Sequence, residues 1–465
     1  MALTGAKPSG VIGHRQSALS LNMLRVDVCK GMAVGGLLFY LIYIMLSKNS
    51  WAASSTLFTS LVFKYRRIDS HTTTNISHIV FGIAGSANTW KNKRPYIESW
   101  WRPNISRGFL WLDRAPKEHL PWPSSSPPFR ISQDIKRFHD YNNHAMPFAI
   151  RMARVILESF GEDKEDVRWY VMADDDTVLF VDNLVDVLAK YDHNKYYYIG
   201  ENSECVKSNF DYSFQMAFGG GGYALSFPLA KAMARNLDEC LKRYPTLYGS
   251  DHIMQACISD FGVPLTHERG SAISSPRCAN ALPSPSRPCG SNLPSMNRHE
   301  AVKLLMEASA VESSRVLQQT VCYHKQTNWS FSISWGYSAQ IYEKIHPLSN
   351  LERPLQTFIP WKNIGQGTYM FNTRPLSKDP CEMPHMFFFE SVEQGGGDQN
   401  NVVTTSYVRR SPRRLPVCLL TGNHSADPIL KIRVGERREC CDVHVLGKNL
   451  TEIAIRSCKE DEVVA

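Results

Sequence analysis

Short runs of apolar residues alternate along this chain with stretches whose apolar positions recur every three or four residues. Residues 78–83 and 108–112 are runs of the first kind and predict strands. Between them Trp90, Ile97, Trp100 and Trp101 predict a helix, and Met152, Ala153, Ile156 and Phe160 mark another, with Gly161 placed as its C-terminal cap. Residues 169–180 begin as a buried strand and pass through Asp174, Asp175 and Asp176. Asp182 is then placed to cap a helix whose face is Leu184, Val187, Leu188 and Tyr191. Residues 196–199 and 223–226 predict further strands, and Pro228 suits the first turn of a helix running to about Cys240. A last helix, with Ser250 as its cap, shows an apolar face at Ile253, Met254, Cys257 and Ile258 and stops at Gly262. This alternation predicts an α/β domain with a largely parallel sheet and right-handed crossovers. From Gln318 onward the pattern changes to a β-rich module, with strand character over 331–342.

The N-terminal region stands outside that pattern. Residues 1–30 are polar, with Lys7, Arg15, Arg25 and Lys30, and residues 31–46 carry no charge. Sixteen helical residues span about 24 Å, short of the roughly 30 Å hydrocarbon core but within reach of a thin early-secretory or Golgi bilayer. Basic residues ahead of the span predict a cytosolic tail and a transmembrane signal anchor, with the rest luminal. The competing expectation is a cleaved signal peptide, for which Ala52-Ala53-Ser54 would serve as the cleavage site. Residues 47–77, rich in Ser and Thr, read as a stem. Sequons at Asn75, Asn104, Asn328, Asn423 and Asn449 are chemically available in a lumen. Eleven of the twelve cysteines follow the apolar span, which suits an oxidising compartment, and no CxxC pair recurs at zinc spacing.

The 465 residues, 43% hydrophobic and 21% charged, describe a globular protein with room for more than one core. The net charge of +8 permits acidic ligands, but no dense basic tract with interleaved aromatics points to nucleic acid. Chemistry concentrates at Asp174, Asp175 and Asp176. Like charges at the end of a buried strand need a compensating partner, and hard carboxylate oxygens suit Mg²⁺ or Mn²⁺ bridging to phosphate. A plain solvated acidic turn is the alternative. Gly219, Gly220, Gly221 and Gly222, ahead of Tyr223, let the backbone approach a ligand closely. Asp251 lies in the first turn of its helix, where the dipole alone accounts for a carboxylate.

Together, Arg168-Trp-Tyr-Val-Met-Ala-Asp-Asp-Asp-Thr177, Ala217-Phe-Gly-Gly-Gly-Gly-Tyr223 and Tyr248-Gly-Ser-Asp251 resemble the Fringe-like β-1,3-glycosyltransferases. More closely, the chain resembles a plant Fringe-related family described only as a domain of unknown function. The likeness spans about 78–269 and resumes from 297, where it includes Gln318-Gln-Thr-Val-Cys322, Ser332-Ile-Ser-Trp-Gly336 and Phe371-Asn-Thr-Arg-Pro375. The resemblance implies a type II Golgi membrane protein whose catalytic domain, 78–270, has a GT-A-like mixed α/β sheet. It also implies that Asp174, Asp175 and Asp176 bind Mn²⁺ and through it a UDP-sugar, that Gly219 to Tyr223 line the donor and acceptor sugars, and that Asp251 is the base of an inverting transfer to a glycan. The region 297–465 is then specific to the family.

After Gly270 this chain departs from the pattern. Relatives continue with a Phe-His turn whose His completes the metal site, whereas residues 271–296 are Ser/Pro-rich, aperiodic and expected to be disordered. The segment resembles the product of another reading frame, flanked by His267 and His299, which are either substitutes for the missing imidazole or incidental. Two other functions therefore stand beside the transferase: a catalytically impaired relative that binds glycan or scaffolds other enzymes, and a metal-dependent phosphohydrolase.

Overall fold

The computed structural model describes residues 73–138, 146, 148–203, 205–268, 273–274, 298–356, 373–394, 403–413, 415–419, 425–436, 440–446 and 449–456. The expected cytosolic tail, the anchor at 31–46, most of the stem, Asn423 and all of 271–296 except Ile273 and Ser274 lie outside these residues. Among the described residues no helix is long and apolar enough to cross a membrane.

The chain first builds a layered α/β unit. Strand β1 (Ile79–Ala84) is buried at every position, as its unbroken apolar run requires of a strand covered on both faces. Helix α1 (Trp90–Glu98) leads to β2 (Arg107–Leu112) and β3 (Phe129–Ile131). Helix α2 (Ala149–Glu162) precedes β4 (Trp169–Asp174), the short β5 (Val178–Leu179) and α3 (Val181–Leu188). Then follow β6 (Tyr198–Gly200), α4 (Val206–Asp211), β7 (Tyr223–Ser226), α5 (Phe227–Arg243), α6 (Ser250–Ser259) and β8 (Leu265–His267). The seven-stranded sheet runs β3-β2-β1-β4-β7-β6-β8. One core lies between the sheet and α2, α5 and α6, around Tyr170, Met172, Leu229, Met233 and Ile253. A second lies beneath α1 and α3, around Phe81, Trp100, Trp169 and Leu184.

The sheet is largely parallel, as the alternation predicts, and mixed, as the resemblance implies, because β7 runs antiparallel to both β4 and β6. Other expectations are corrected. Helix α3 begins at Val181 with Phe180 as its cap, so Asp182 sits inside the first turn, where it forms a bidentate ion pair with Arg102. Helix α6 begins at Ser250 with Gly249 as its cap, so Ser250 is its first residue. Helix α2 runs through Gly161 to Glu162 and ends on Asp163. Strand β9 (Ile273–Ser274), within the segment expected to be disordered, pairs with β5 through Val178↔Ser274 and Leu179↔Ile273.

Helix α7 (Arg298–Val311) opens the C-terminal half. Eight strands follow: β10 (Gln319–His324), β11 (Trp329–Ser334), β12 (Ser338–Tyr342), β13 (His385–Gln394), β14 (Val403–Val408), β15 (Lys431–Glu436), β16 (Cys440–Leu446) and β17 (Leu450–Arg456). They form one sheet in the order β10-β11-β12-β13-β14-β15-β17-β16. The strand character at 331–342 is the β11–β12 hairpin. Helix α7 joins the two sheets, because Val302 and Leu305 pack with Tyr96, Val178 and Phe180 of the first unit and Phe388 of the second.

Candidate active site

The site grows from the carboxyl end of β4. The strand is apolar through Ala173, and Asp174 is its first partly exposed residue. A tight turn follows, closed by Thr177 N–H donating to Asp174 O at 3.1 Å and by Asp174 N–H donating to Thr177 Oγ1 at 3.0 Å. The turn brings Asp175 and Asp176 inward, where they are 9% and 3% exposed. Asp175 Oδ2 accepts long contacts from Ser86 N–H and Thr89 Oγ1, at 3.4 and 3.5 Å.

The compensating charge among the described residues is an ammonium. Lys93 Nζ of α1 forms a short ion pair with Asp176 Oδ2 and lies 3.9 Å from Asp175 Oδ1. Arg151 of α2 adds a second positive charge within electrostatic reach of Asp174 and Asp175, and burial pushes its guanidinium below its usual range. Sequence reasoning missed Lys93, although its spacing holds the signal: with Trp90 and Ile97 it occupies one helical stripe, and both of those are buried.

The glycine run forms a single 3₁₀ turn over Gly219–Gly221, and Gly222 closes it at φ +82°, a left-handed conformation that favours glycine. The chain then enters β7, where Tyr223 pairs with Met172 beside the carboxyl end of β4. The turn is bound on both sides. Thr177 Oγ1 donates to Gly220 O at 3.1 Å, and Gly219 N–H donates to Asp251 Oδ2 at 2.9 Å. Asp251 also accepts from Ser250 Oγ at 3.0 Å. Burial pushes its carboxyl above the ordinary aspartate range, although the bonds from Gly219 and Ser250 pull the other way. Beneath it, burial and the Asp251 charge raise the phenols of Tyr198 and Tyr223, so both rings stay neutral donors or acceptors.

The three sequence motifs thus meet at one end of the sheet, and two residues with no role assigned from sequence, Thr177 and Lys93, hold them. A disulfide between Cys240 of α5 and Cys257 of α6 pins the helix that carries Asp251. The two flanking histidines are occupied elsewhere: His267 Nδ1 lies 3.0 Å from Glu201 Oε1, and His299 Nε2 donates to Asn92 O at 3.1 Å while its ring packs on Tyr96. Among the described residues no three His, Cys, Asp or Glu side chains converge on a metal-ion position. The chemistry of Asp174, Asp175 and Asp176 fits a hard divalent ion only in part, as an open set that diphosphate and water oxygens would complete. Four sequon residues, Asn75, Asn104, Asn328 and Asn449, are exposed, and Asn104 and Asn328 take positive φ in turns.

The model of the family described as "Protein of unknown function, DUF604" matches residues 208–272 and 290–448. That is just under half of the chain; it includes the glycine turn and Asp251 but begins beyond the acidic triplet. Over 113 residues the chain is 31% identical to the beta-1,3-glucosyltransferases of Mus musculus and Homo sapiens. The aligned part is 24% of this chain, and the chain spans only 22% of the length of these curated relatives. In sequence, then, it is similar to glycosyltransferases. Among solved structures it is similar to mouse xyloside xylosyltransferase 1 in its apo form, at 8% identity and TM-score 0.27, over 41% of this chain and 84% of that one. It is also similar to a mannosyltransferase of Pyrobaculum calidifontis in complex with GDP-Man and Mn²⁺, at 10% identity and TM-score 0.23, over 45% and 64% of the two chains. At TM-scores this low the likeness carries no argument.

Proposed function

We propose that the chain is a Fringe-like, inverting glycosyltransferase that moves a sugar from a UDP-sugar to a glycan acceptor. The observation that carries this reading is the seating of Asp251: a partly buried carboxylate held by the glycine turn, which is itself bonded to the turn of three aspartates. That arrangement supports a base at Asp251 beside a diphosphate at the acidic turn. Asp251 would accept the proton of the acceptor hydroxyl as its oxygen bonds to the sugar's anomeric carbon and the bond from that carbon to the UDP oxygen breaks. Attack from the face opposite the leaving group inverts the anomeric centre. Gly219, Gly220, Gly221, Gly222 and Tyr223 would line the sugars. Asp174, Asp175 and Asp176 would hold Mn²⁺ or Mg²⁺, and such an ion supplies charge neutralisation to the departing diphosphate.

The proposed setting is the Golgi membrane, as a single-pass type II protein with residues 1–30 cytosolic, 31–46 in the bilayer and the sequons in the lumen. The uncharged span with basic residues ahead of it supports this topology. Lys93 favours a second reading, because its ammonium already lies against Asp175 and Asp176. In that reading the chain binds glycan without metal-dependent turnover.

The test uses the full chain with a panel of UDP-sugars and glycan acceptors, following UDP release with sugar transfer, and calorimetry of UDP with and without Mn²⁺. The transferase reading expects transfer that Asp251→Asn lowers by orders of magnitude to a small residual rate while UDP binding persists. It also expects Asp176→Ala to abolish metal-dependent binding. UDP binding without transfer selects the second reading, and phosphate release without transfer selects a phosphohydrolase.

A further inference from the structure

Thr177 is fully buried and makes four hydrogen bonds that tie together three parts of the site: Trp100, Asp174 and the glycine turn. Its carbonyl accepts from Trp100 Nε1 at 2.9 Å, just beyond the end of α1. Its N–H donates to Asp174 O at 3.1 Å, and its hydroxyl accepts from Asp174 N–H at 3.0 Å. The remaining hydroxyl bond, 3.1 Å to Gly220 O, has a fixed direction, because a carbonyl can only accept. The one hydroxyl proton is therefore committed to the glycine turn. Gly220 follows Gly219, whose N–H holds Asp251 at 2.9 Å. A path of hydrogen bonds of 2.9–3.1 Å, carried across the Gly219–Gly220 backbone, thus runs from the acidic turn through one side chain to the carboxylate on α6.

On the transferase reading above, we propose that Thr177 is a positioning residue that sets the separation between the acidic turn, where the donor diphosphate would sit, and Asp251. The glycine turn has no side chains of its own to fix its height above β4. Its inner backbone bonds, Gly221 N–H to Phe218 O and Gly222 N–H to Gly219 O, are both 2.9 Å and define its shape but not its place. Phe218 N–H, donating to Glu201 O at 2.9 Å, and the pairing of Tyr223 with Met172 fix the two ends of the turn, and Thr177 and Asp251 hold the stretch between them. Valine copies the shape of threonine without the hydroxyl, and serine keeps the hydroxyl without the methyl, so the two variants separate bonding from packing.

The experiment compares Thr177→Val and Thr177→Ser in the full chain, alone and with Asp251→Asn. Displacing a reacting group by about 1 Å costs on the order of a hundredfold in rate, so Thr177→Val should lower kcat by that order with little change in donor KM. Thr177→Ser should keep most of the rate. Amide exchange at Gly221 and Gly222 should quicken in the valine variant and not in the serine one. With Asp251 already changed to Asn, the valine substitution should remove little further. The proposal is overturned if the valine variant keeps wild-type kcat and exchange, if serine is as damaging as valine, or if the losses at 177 and 251 simply multiply. Should no donor be transferred by the unaltered chain, the transferase reading fails by itself, and the exchange comparison still decides whether Thr177 holds the glycine turn.

Discussion

Gly219 and Asp251 are in contact through backbone and carboxylate: the Gly219 N–H donates to Asp251 Oδ2 at 2.9 Å, and a Cβ added to Gly219 would stand 2.3 Å from Asp251 Oδ1. This approach is open to a glycine and closed to any larger residue. Gly219→Ala must move either the turn or the carboxylate, at an overpacking cost of about 1–3 kcal/mol. Thermal unfolding should show that loss, and sugar transfer should fall much further than UDP affinity. A variant with undiminished transfer would mean that the close approach plays no part in the reaction.

The pH dependence of Asp251 gives a second expectation. Its folded pKa lies above the ordinary value of 3.8 because it is buried. Such a group contributes its full stability below the ordinary value and loses it as pH rises through the raised folded value. Asp251→Asn should therefore be stabilising near neutral pH, with the gain shrinking in mild acid. Transfer should run the opposite way and rise with pH as the base ionises. Melting temperatures across pH for both proteins, beside the pH profile of kcat/KM, check this; an Asn variant equally or less stable near neutrality contradicts it.

Lys93 offers a direct probe of the acidic turn. Its ammonium compensates Asp175 and Asp176, so Lys93→Met leaves buried like charges and should cost on the order of 3 kcal/mol. Mn²⁺ or Mg²⁺ should restore much of that loss in the variant and stabilise the unaltered chain less. Thermal unfolding with and without each ion measures both effects. No ion-dependent recovery would remove the case for a cation at these aspartates.

In the C-terminal sheet, Glu343 follows β12 and is enclosed with Arg413, His385 and Asp427. Burial alone would raise its pKa, but the His385 contact, the Ala426 N–H at 2.6 Å and the Arg413 charge together hold it down at about 2. Its contribution is then present above the ordinary value of 4.5 and is lost as pH falls from there through about 2. Glu343→Gln should destabilise the protein near neutrality and flatten the acid limb of its unfolding curve. Circular dichroism during acid titration measures this, and superimposable limbs for the two proteins would exclude the carboxylate as their source.

Much of the site was open to reading along the chain, for reasons that differ by residue. Asp174 to Asp176 stand out because carboxylates directly after Trp169-Tyr-Val-Met-Ala have no place in a buried strand. The glycine run stands out because four successive residues without side chains do not build regular structure. Apart from the family resemblance, Asp251 was visible only as a carboxylate in a first turn, since nothing near it in sequence announces the Gly219 contact from 32 residues away. Lys93 was hidden by its neighbours, because Lys91 and Arg94 make the helix look like an ordinary solvated basic stretch.

What the sequence by itself determined was the set of elements and the chemistry each carries. Apolar runs and helical stripes are local, and burial acts on them wherever they end up. What only the tertiary structure decided was the partnership between them. The turn of β7 against β4, the ammonium chosen by Asp175 and Asp176, and the path from Thr177 through the glycine turn to Asp251 all join residues far apart in the chain. A hydrogen bond or ion pair forms where folded backbones bring donor and acceptor within about 3 Å, and spacing along one strand or helix carries no record of that distance.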